Sequence, residues 1–165
     1  TSIKIPTKEE CIRLLKDNKV PDNIIVHTKK VCEFSLKVCD SLEERGIKVN
    51  RNLVAAAALL HDIKKLKPGE HEIEGAKYIK SLGYPEVAVL IKKHGLKQSF
   101  NEEFIPKTWE EKIVFYSDKR VKNDRAVSID ERFEYIKQTY KREDVEKEIR
   151  FTKDIEKELL GNKKL

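Results

Sequence analysis

The most constraining stretch of the sequence is the run LVAAAALLHD at residues 53–62. Its first eight residues are all apolar, although charged residues make up 39% of the chain. An apolar run of this length is typical of a helix buried on all sides, and its four alanines let neighbouring helices approach closely. The run therefore predicts a central helix, and this helix ends in an imidazole next to a carboxylate.

Apolar residues recur every three or four positions along most of the chain, which is the period of amphipathic helices. Thr7 with Glu10 and Thr108 with Glu111 form capping-box patterns that mark two helix starts. No segment alternates with a period of two, so we predict an all-α fold. Helices are expected over about 7–17, 21–46, 50–64, 71–82, 85–95, 108–122, 128–141 and 142–160, with an irregular segment at 96–107.

The composition describes a globular chain with a heavily charged surface. Its length of 165 residues suits one domain. No apolar run is long enough to span a bilayer and no signal-peptide pattern opens the sequence, so we expect a cytoplasmic protein without membrane contact. Cys11, Cys32 and Cys39 have no CxxC spacing and are expected to be reduced and buried. The net charge of +6 favours anionic partners.

Each histidine of the chain falls on the apolar stripe of a different predicted helix, and one aspartate does the same. These residues are His27, His61, His71, His94 and Asp118. A single such histidine is more often a core residue hydrogen-bonded to a carbonyl, but five coincidences on five helices favour a shared role. Burying an unpaired carboxylate costs several kcal/mol, roughly, and a divalent cation removes that cost. Imidazole and carboxylate ligands without cysteine favour Fe, Mn, Co, Ni or Zn over Ca.

The His61-Asp62 doublet suggests two cations rather than one. Neighbouring helix residues diverge by about 100°, so the two side chains point into adjacent sectors. An aspartate has two oxygens and can bridge two cations, while His61 serves one of them. Two cations about 3.5–4 Å apart would fit the plan of two-metal hydrolases.

The ordered series of ligands resembles the HD-domain superfamily of metal-dependent phosphohydrolases over roughly residues 20–125. The matching segments are IIVHTKKVCEFSLKV, AAALLHDIKK and IVFYSDKRV. The resemblance implies an HD-type helical bundle, with a metal-binding core at 20–125 and a C-terminal helical extension at 126–165 of a single domain, 1–165. It also implies that one metal is held by His27, His61, Asp62 and Asp118. The second would be held by His71 and His94, with Asp62 bridging.

The extra histidines resemble the two-metal branch of the superfamily, which includes the HDIG group and diadenosine tetraphosphatase-like proteins. Here the HDIG tetrad reads HDIK, and the HDxxED pattern of guanosine tetraphosphate hydrolases is absent. Lys65 stands where the HD 5′-nucleotidases carry a glutamate, and the HDxxK spacing is shared with the diadenosine tetraphosphatase-like proteins. The resemblance therefore implies hydrolysis of a phosphate ester or anhydride, a nucleotide or dinucleotide polyphosphate first, by a metal-activated water.

Within that reading, Asp62 and Lys65 are the expected catalytic residues, and Lys65 and Arg120 are expected to bind the substrate phosphate. The cofactors would be two divalent metal ions, Fe or Mn before Co, Ni, Zn or Mg. The expected partner is a phosphate-containing small molecule, a nucleotide first. A homodimer is left open.

Two alternatives remain at this stage. Some HD proteins use the same ligand pattern to hold a mixed-valence di-iron centre that performs oxygenation. A non-catalytic module that binds nucleotides or RNA is also compatible with the basic charge, although the sequence has no basic stripe interleaved with aromatic residues, which disfavours nucleic acid.

Overall fold

The computed structural model describes residues 3–95, 101–142 and 145–165. Within these ranges the chain forms eight α-helices and one short hairpin, which confirms the all-α prediction. The helices are α1 (Lys8–Asp17), α2 (Asp22–Glu44), α3 (Arg51–Leu60), α4 (His71–Ser81), α5 (Pro85–Lys92), α6 (Trp109–Asp118), α7 (Ile129–Tyr140) and α8 (Glu146–Leu160). A 3-10 helix at Glu102–Phe104 precedes α6, and the antiparallel strands β1 (Val121–Lys122) and β2 (Arg125–Ala126) follow it.

Helix α3 occupies the centre of the bundle, as its alanine run predicts. Every residue from Leu53 to Leu60 is buried. The helix packs against α1, α2, α5 and α6, because alanine side chains leave room for the neighbouring backbones. Helices α4 and α5 pack against each other, α7 packs on α8, and α8 packs on α2 and α6.

Side-chain caps fix where four of the described helices begin, with Ser128 capping α7. Both predicted capping boxes are present, Thr7 with Glu10 at α1 and Thr108 with Glu111 at α6. The side chain of Asn50 accepts a hydrogen bond from the amide of Leu53 at the start of α3. Each cap contributes about 1 kcal/mol to stability, and together they set the register of the helices that follow.

Helices α3 and α6 end earlier than their sequence patterns predict, as does α5, which ends at Lys92 instead of residue 95. Helix α3 ends at Leu60 instead of continuing to residue 64, and tight turns follow, in which the amide of Ile63 donates to the Leu60 carbonyl. Helix α6 ends at Asp118 instead of residue 122, because the chain turns into the hairpin. Asn123 lies at the hairpin turn with φ of +56°, a conformation that asparagine tolerates better than most residues.

The irregular segment predicted at 96–107 falls partly outside the described residues, which resume at residue 101. Its described part contains the 3-10 helix, whose Phe104 is buried. The last helix was predicted to begin at residue 142 but begins at Glu146. None of the helices described is both long and apolar enough to cross a bilayer.

The central position of α3 predicts that its alanines cannot be enlarged. Ala57 is fully buried, so Ala57→Leu should lower the free energy of unfolding by about 1–3 kcal/mol through overpacking. Urea unfolding measures this change. The same substitution at Ala126, an exposed residue of β2, is the matched control and should change stability by less than about 0.5 kcal/mol. Equal effects of the two substitutions would contradict the packing described for α3.

Candidate metal centre

The six side chains predicted as metal ligands converge on one buried region of the bundle. They are His27, His61, Asp62, His71, His94 and Asp118. His27 lies in α2, the doublet follows α3, His71 begins α4, His94 follows α5 and Asp118 ends α6. Most of them therefore sit at the ends of helices, where the backbone is already turning.

The first group of ligand atoms surrounds one side of the Asp62 carboxylate. The Nε2 atom of His61 lies 3.2 Å from Asp62 Oδ2 and 3.3 Å from Asp118 Oδ1. The Nε2 atom of His27 lies 3.3 Å from Asp118 Oδ1 and 3.7 Å from Asp62 Oδ2. Coordination bonds of about 2.0–2.2 Å place neighbouring ligand atoms roughly 3.0–3.6 Å apart, so these atoms have the spacing of ligands around one ion.

The second group surrounds the other oxygen of the same carboxylate. Asp62 Oδ1 lies 3.5 Å from His71 Nε2 and 3.8 Å from His94 Nε2. The two imidazole nitrogens are 3.3 Å apart. Asp62 thus directs one oxygen towards each group, which is the arrangement that a carboxylate bridging two cations requires.

Backbone carbonyls orient three of the four imidazoles. The Nδ1 atom of His27 is 2.8 Å from the carbonyl of Asn123, in the hairpin turn. The Nδ1 atoms of His61 and His94 are 2.6 Å and 2.5 Å from the carbonyls three residues earlier, Ala58 and Ile91. A carbonyl can only accept, so Nδ1 carries the proton and the Nε2 lone pair faces the cluster, as in metal-binding histidines.

The chemistry of this donor set fits a divalent cation. His61 is fully buried, and its Nε2 atom makes no hydrogen bond although two carboxylate oxygens lie beside it. Asp62 and Asp118 are buried as well. A lone pair facing two buried carboxylates is unfavourable unless a positive charge lies between them, and neutral imidazoles with carboxylates are suitable ligands for such an ion.

A buried lysine completes the surroundings of Asp118. The Lys119 ammonium group donates to Asp118 Oδ2 at 2.7 Å and to the His94 carbonyl at 3.2 Å. Burial alone would raise the pKa of Asp118, but the charge of Lys119 and the adjacent imidazoles of His27 and His61 hold that pKa well below its usual value. Asp118 is therefore ionised, with one oxygen held by Lys119 and the other facing the imidazoles.

Burial and the nearby charges shift the pKa values of His61 and His94 in opposite directions. Burial alone would lower the pKa of His61, but the negative charges of the adjacent Asp62 and Asp118 carboxylates raise it to about 10. Burial, with the charge of His61, lowers the pKa of His94 to about 3. In the metal-free protein His61 therefore holds the proton that balances the carboxylates, and His94 is neutral.

The two residues predicted to bind substrate lie in different surroundings. Lys65 is at the edge of the cluster, where its ammonium group is 3.9 Å from Asp62 Oδ2 and its side chain is 40% exposed. Arg120 is buried, and its guanidinium group donates to the carbonyls of Val127 and Leu165 and to the hydroxyl of Tyr116. These internal contacts direct Arg120 away from the cluster, so its position gives no support to phosphate binding.

Glu72 joins the second group although the sequence pattern did not identify it. Its Oε1 atom lies 3.6 Å from His71 Nε2, and its side chain is buried. Together with His71 and His94 it forms a set of atoms close enough to hold one ion. Its spacing in the sequence could have identified Glu72, because it lies one helical turn before Gly75 and Ala76, which are on the buried face of α4. That face passes through Glu72, whereas the side chain of His71 is 29% exposed.

Comparison with known proteins gives a family and several relatives. The family model for the HD domain matches residues 24–123. The chain is 32% identical over 138 residues to a tRNA (cytidine(56)-2′-O)-methyltransferase of Picrophilus torridus, which covers 76% of this chain and 39% of the relative. It is 29% identical over 136 residues to an uncharacterised protein of Methanocaldococcus jannaschii, covering 74% of this chain and 80% of that one.

A shorter match is closer in sequence. Over 43 residues, 26% of this chain, the identity to a dihydroneopterin 2′,3′-cyclic phosphate phosphodiesterase of Methanocaldococcus jannaschii is 51%, and this covers 17% of the relative. The chain thus spans about two fifths of the methyltransferase and less than a fifth of the phosphodiesterase. No solved structure matches the chain significantly.

The opposite pKa shifts of His61 and His94 predict that the metal-free protein is most stable near pH 6.5, the ordinary histidine pKa. Above that pH, folded His61 keeps a proton that the unfolded chain releases, so stability falls as pH rises towards about 10. Below it, the unfolded chain binds a proton that folded His94 does not, so stability falls as pH decreases towards about 3.

Urea unfolding of chelator-treated protein across this pH range measures both slopes. His61→Gln should remove the decrease between about pH 6.5 and 8 and keep the decrease on the acidic side. Burial raises the pKa values of the Cys11, Cys32 and Cys39 thiols, so above about pH 8 stability falls in both proteins. If the variant retained the full alkaline decrease, the proton would have to be held elsewhere.

Proposed function

This chain belongs to the HD domain family, and we propose that it is a metal-dependent hydrolase of phosphate esters or anhydrides. The observation that carries the proposal is the Asp62 carboxylate, whose two oxygens face two separate groups of imidazoles. A site built only to bind a phosphate would need donors such as arginine or backbone amides. Carboxylates among imidazoles instead suit metal ions.

We assign His27, His61, Asp62 and Asp118 to one cation. The second is assigned to His71, His94 and the other oxygen of Asp62. When bound, such cations supply a water that is ionised near neutral pH and offset charge on the phosphoryl oxygens. Fe or Mn suits this mixed set of imidazoles and carboxylates best, and Co, Ni, Zn and Mg are further candidates.

The protein's own residues would orient the reacting groups. Carbonyls hold the imidazoles of His27, His61 and His94 with Nε2 towards the cluster, and Lys119 holds one oxygen of Asp118. Lys65, at the edge of the cluster, is the nearest cation that can meet a substrate phosphate. Asp62 raises the pKa of Lys65, so the side chain is charged at neutral pH.

The substrate class follows from the family and from one relative. The resemblance to HD-type phosphohydrolases supports a phosphate ester or anhydride, and the phosphodiesterase relative is named for dihydroneopterin 2′,3′-cyclic phosphate. We therefore propose a nucleotide or a similar phosphate compound as substrate, with dinucleotide polyphosphates and cyclic phosphodiesters included in the first panel.

A second candidate function is RNA binding. It is favoured by the net charge of +6 and by the match to part of tRNA methyltransferases. The buried cluster of histidines and carboxylates would have no role in such a module. Filter binding of tRNA at about 150 mM salt would test RNA binding, because binding through phosphate contacts alone weakens steeply with salt. Tight binding at this salt concentration would favour the RNA-binding function.

The di-iron oxygenase alternative uses the same ligands and is separated by its chemistry. A hydrolase would turn over generic phosphate esters without consuming oxygen. Iron analysis together with oxygen uptake on the same substrates would reveal oxygenation.

Asp62→Asn should remove the bridging charge while keeping the side-chain volume. We expect the variant to lose retained metal and to lower hydrolysis of p-nitrophenyl phosphate, bis(p-nitrophenyl) phosphate or the nucleotide panel by at least about 100-fold. Metal analysis of the purified protein and steady-state rates measure these changes. Asp154→Asn in α8, at an exposed aspartate, is the matched control and should change neither. Full turnover by Asp62→Asn would refute the mechanism.

A further inference from the structure

A cleft of about 400 Å³ opens beside the metal cluster. Its walls come from α2, from the hairpin and from α7, and His27 is part of both the cleft and the cluster. Ligand pockets for small molecules have volumes of about 300–1,000 Å³, so this cleft is at the lower end of that range. A ligand in it would lie directly against the first group of metal ligands.

The cleft is positively charged where it meets the cluster. Lys65, Lys122 and Arg132 line it, against one carboxylate from Asp124. The Arg132 Nε atom lies 3.5 Å from the carbonyl of Asp118, which places its guanidinium group next to the metal ligands. A guanidinium fork matches the geometry of a phosphate and can bind it through two hydrogen bonds.

An aromatic side chain of α7 helps to fix these charges. The ammonium group of Lys122 lies over the ring of Tyr135, 4.6 Å from its centre, and the guanidinium carbon of Arg132 is 5.7 Å from the same ring. Such contacts are favourable because the face of an aromatic ring is electron-rich. Tyr135 therefore positions two cations at the wall of the cleft.

The outer part of the cleft is apolar and open to solvent. Tyr140, at the end of α7, is 61% exposed, and Val26, on α2, is 46% exposed. Both line the cleft, on different walls. An exposed tyrosine and an exposed valine beside an anion-binding wall offer surfaces to a flat apolar group that is attached to a phosphate.

We propose that this cleft is the substrate pocket, and that it takes a phosphate ester carrying one planar heteroaromatic ring, about the size of a nucleoside monophosphate. Arg132 and Lys65 bind the phosphate next to the metal ligands, and Tyr140 stacks on the ring against Val26. This assignment rests on the proposed hydrolase function and narrows its substrate. Arg132 takes the role that the sequence suggested for Arg120.

The cleft offers one exposed aromatic ring for stacking, which favours this substrate over a dinucleotide polyphosphate. Its volume accommodates one ring system with its sugar and phosphate, and one exposed aromatic residue is available to stack on it. A second nucleoside would extend into solvent and gain little from binding. The pocket therefore favours the smaller compound.

Adenosine 5′-monophosphate and ribose 5-phosphate test the proposal, because they share the phosphate ester and differ in the base. We expect the full chain with its metals to favour the nucleotide by about 10-fold, the effect of stacking one base on an aromatic residue. The preference is the ratio of the two kcat/KM values. If the chain hydrolyses neither compound, the ratio of the two Kd values on the same preparation gives it, so failure of the hydrolase function leaves the pocket testable.

Paired variants identify the residues responsible. Tyr140→Leu should reduce the preference for the nucleotide to nearly one, while Tyr140→Phe, which keeps the ring, should retain most of it. Arg132→Gln should weaken the binding of both compounds about 10-fold and leave their ratio intact, since it removes a phosphate contact and keeps Tyr140 in place. Because Tyr140 is largely exposed, neither of its substitutions threatens folding, which circular dichroism checks.

Three results would overturn the proposal. The first is that the unmodified protein does not distinguish the two compounds. The second is that the preference for the nucleotide survives Tyr140→Leu. The third is a preference of 10-fold or more, about 1.4 kcal/mol, for diadenosine tetraphosphate over the mononucleotide.

Discussion

The burial of two carboxylates among imidazoles is the interaction on which the rest of this structure depends. Asp62 and Asp118 lie in the middle of a helical bundle, where an isolated carboxylate would be strongly unfavourable. Lys119 contacts one oxygen of Asp118 and Lys65 lies near one oxygen of Asp62, so the other oxygen of each carboxylate faces the imidazoles. A proton on His61 balances the metal-free state, and a divalent cation with the same ligands would balance it better.

The ends of the helices allow the bundle to hold this arrangement. The last carbonyls of a helix have no partner within it, and they need a donor. The Nδ1 atom of His61 meets this need at Ala58, whereas that of His94 shares the Ile91 carbonyl with backbone amides. Both bonds turn Nε2 towards the cluster. The early end of α3 therefore serves two purposes. It places tight turns at and after the doublet, and it leaves the Ala58 carbonyl to orient His61.

The sequence predicted the parts of this protein that depend on local periodicity. Alanines 55–58 identified the central helix, and the capping boxes located two helix starts. The hairpin was missed because two residues per strand give no pattern. Arg120 was predicted to bind phosphate, and its spacing gave no sign of the internal partners that it has in distant segments, Glu156 in α8 among them. Such contacts between remote residues cannot be inferred from spacing in one sequence.

The residues proposed to hold the metals and several of those proposed to select the substrate lie in different parts of the chain. The match to the HD domain ends at residue 123, which includes every predicted metal ligand. Arg132, Tyr135 and Tyr140 come after it, on α7. If α7 forms the substrate wall, a shared core can hold the same cations in relatives that act on different compounds. The family then constrains the reaction, whereas the helix beyond the family match constrains the substrate, and the two must be tested with different variants.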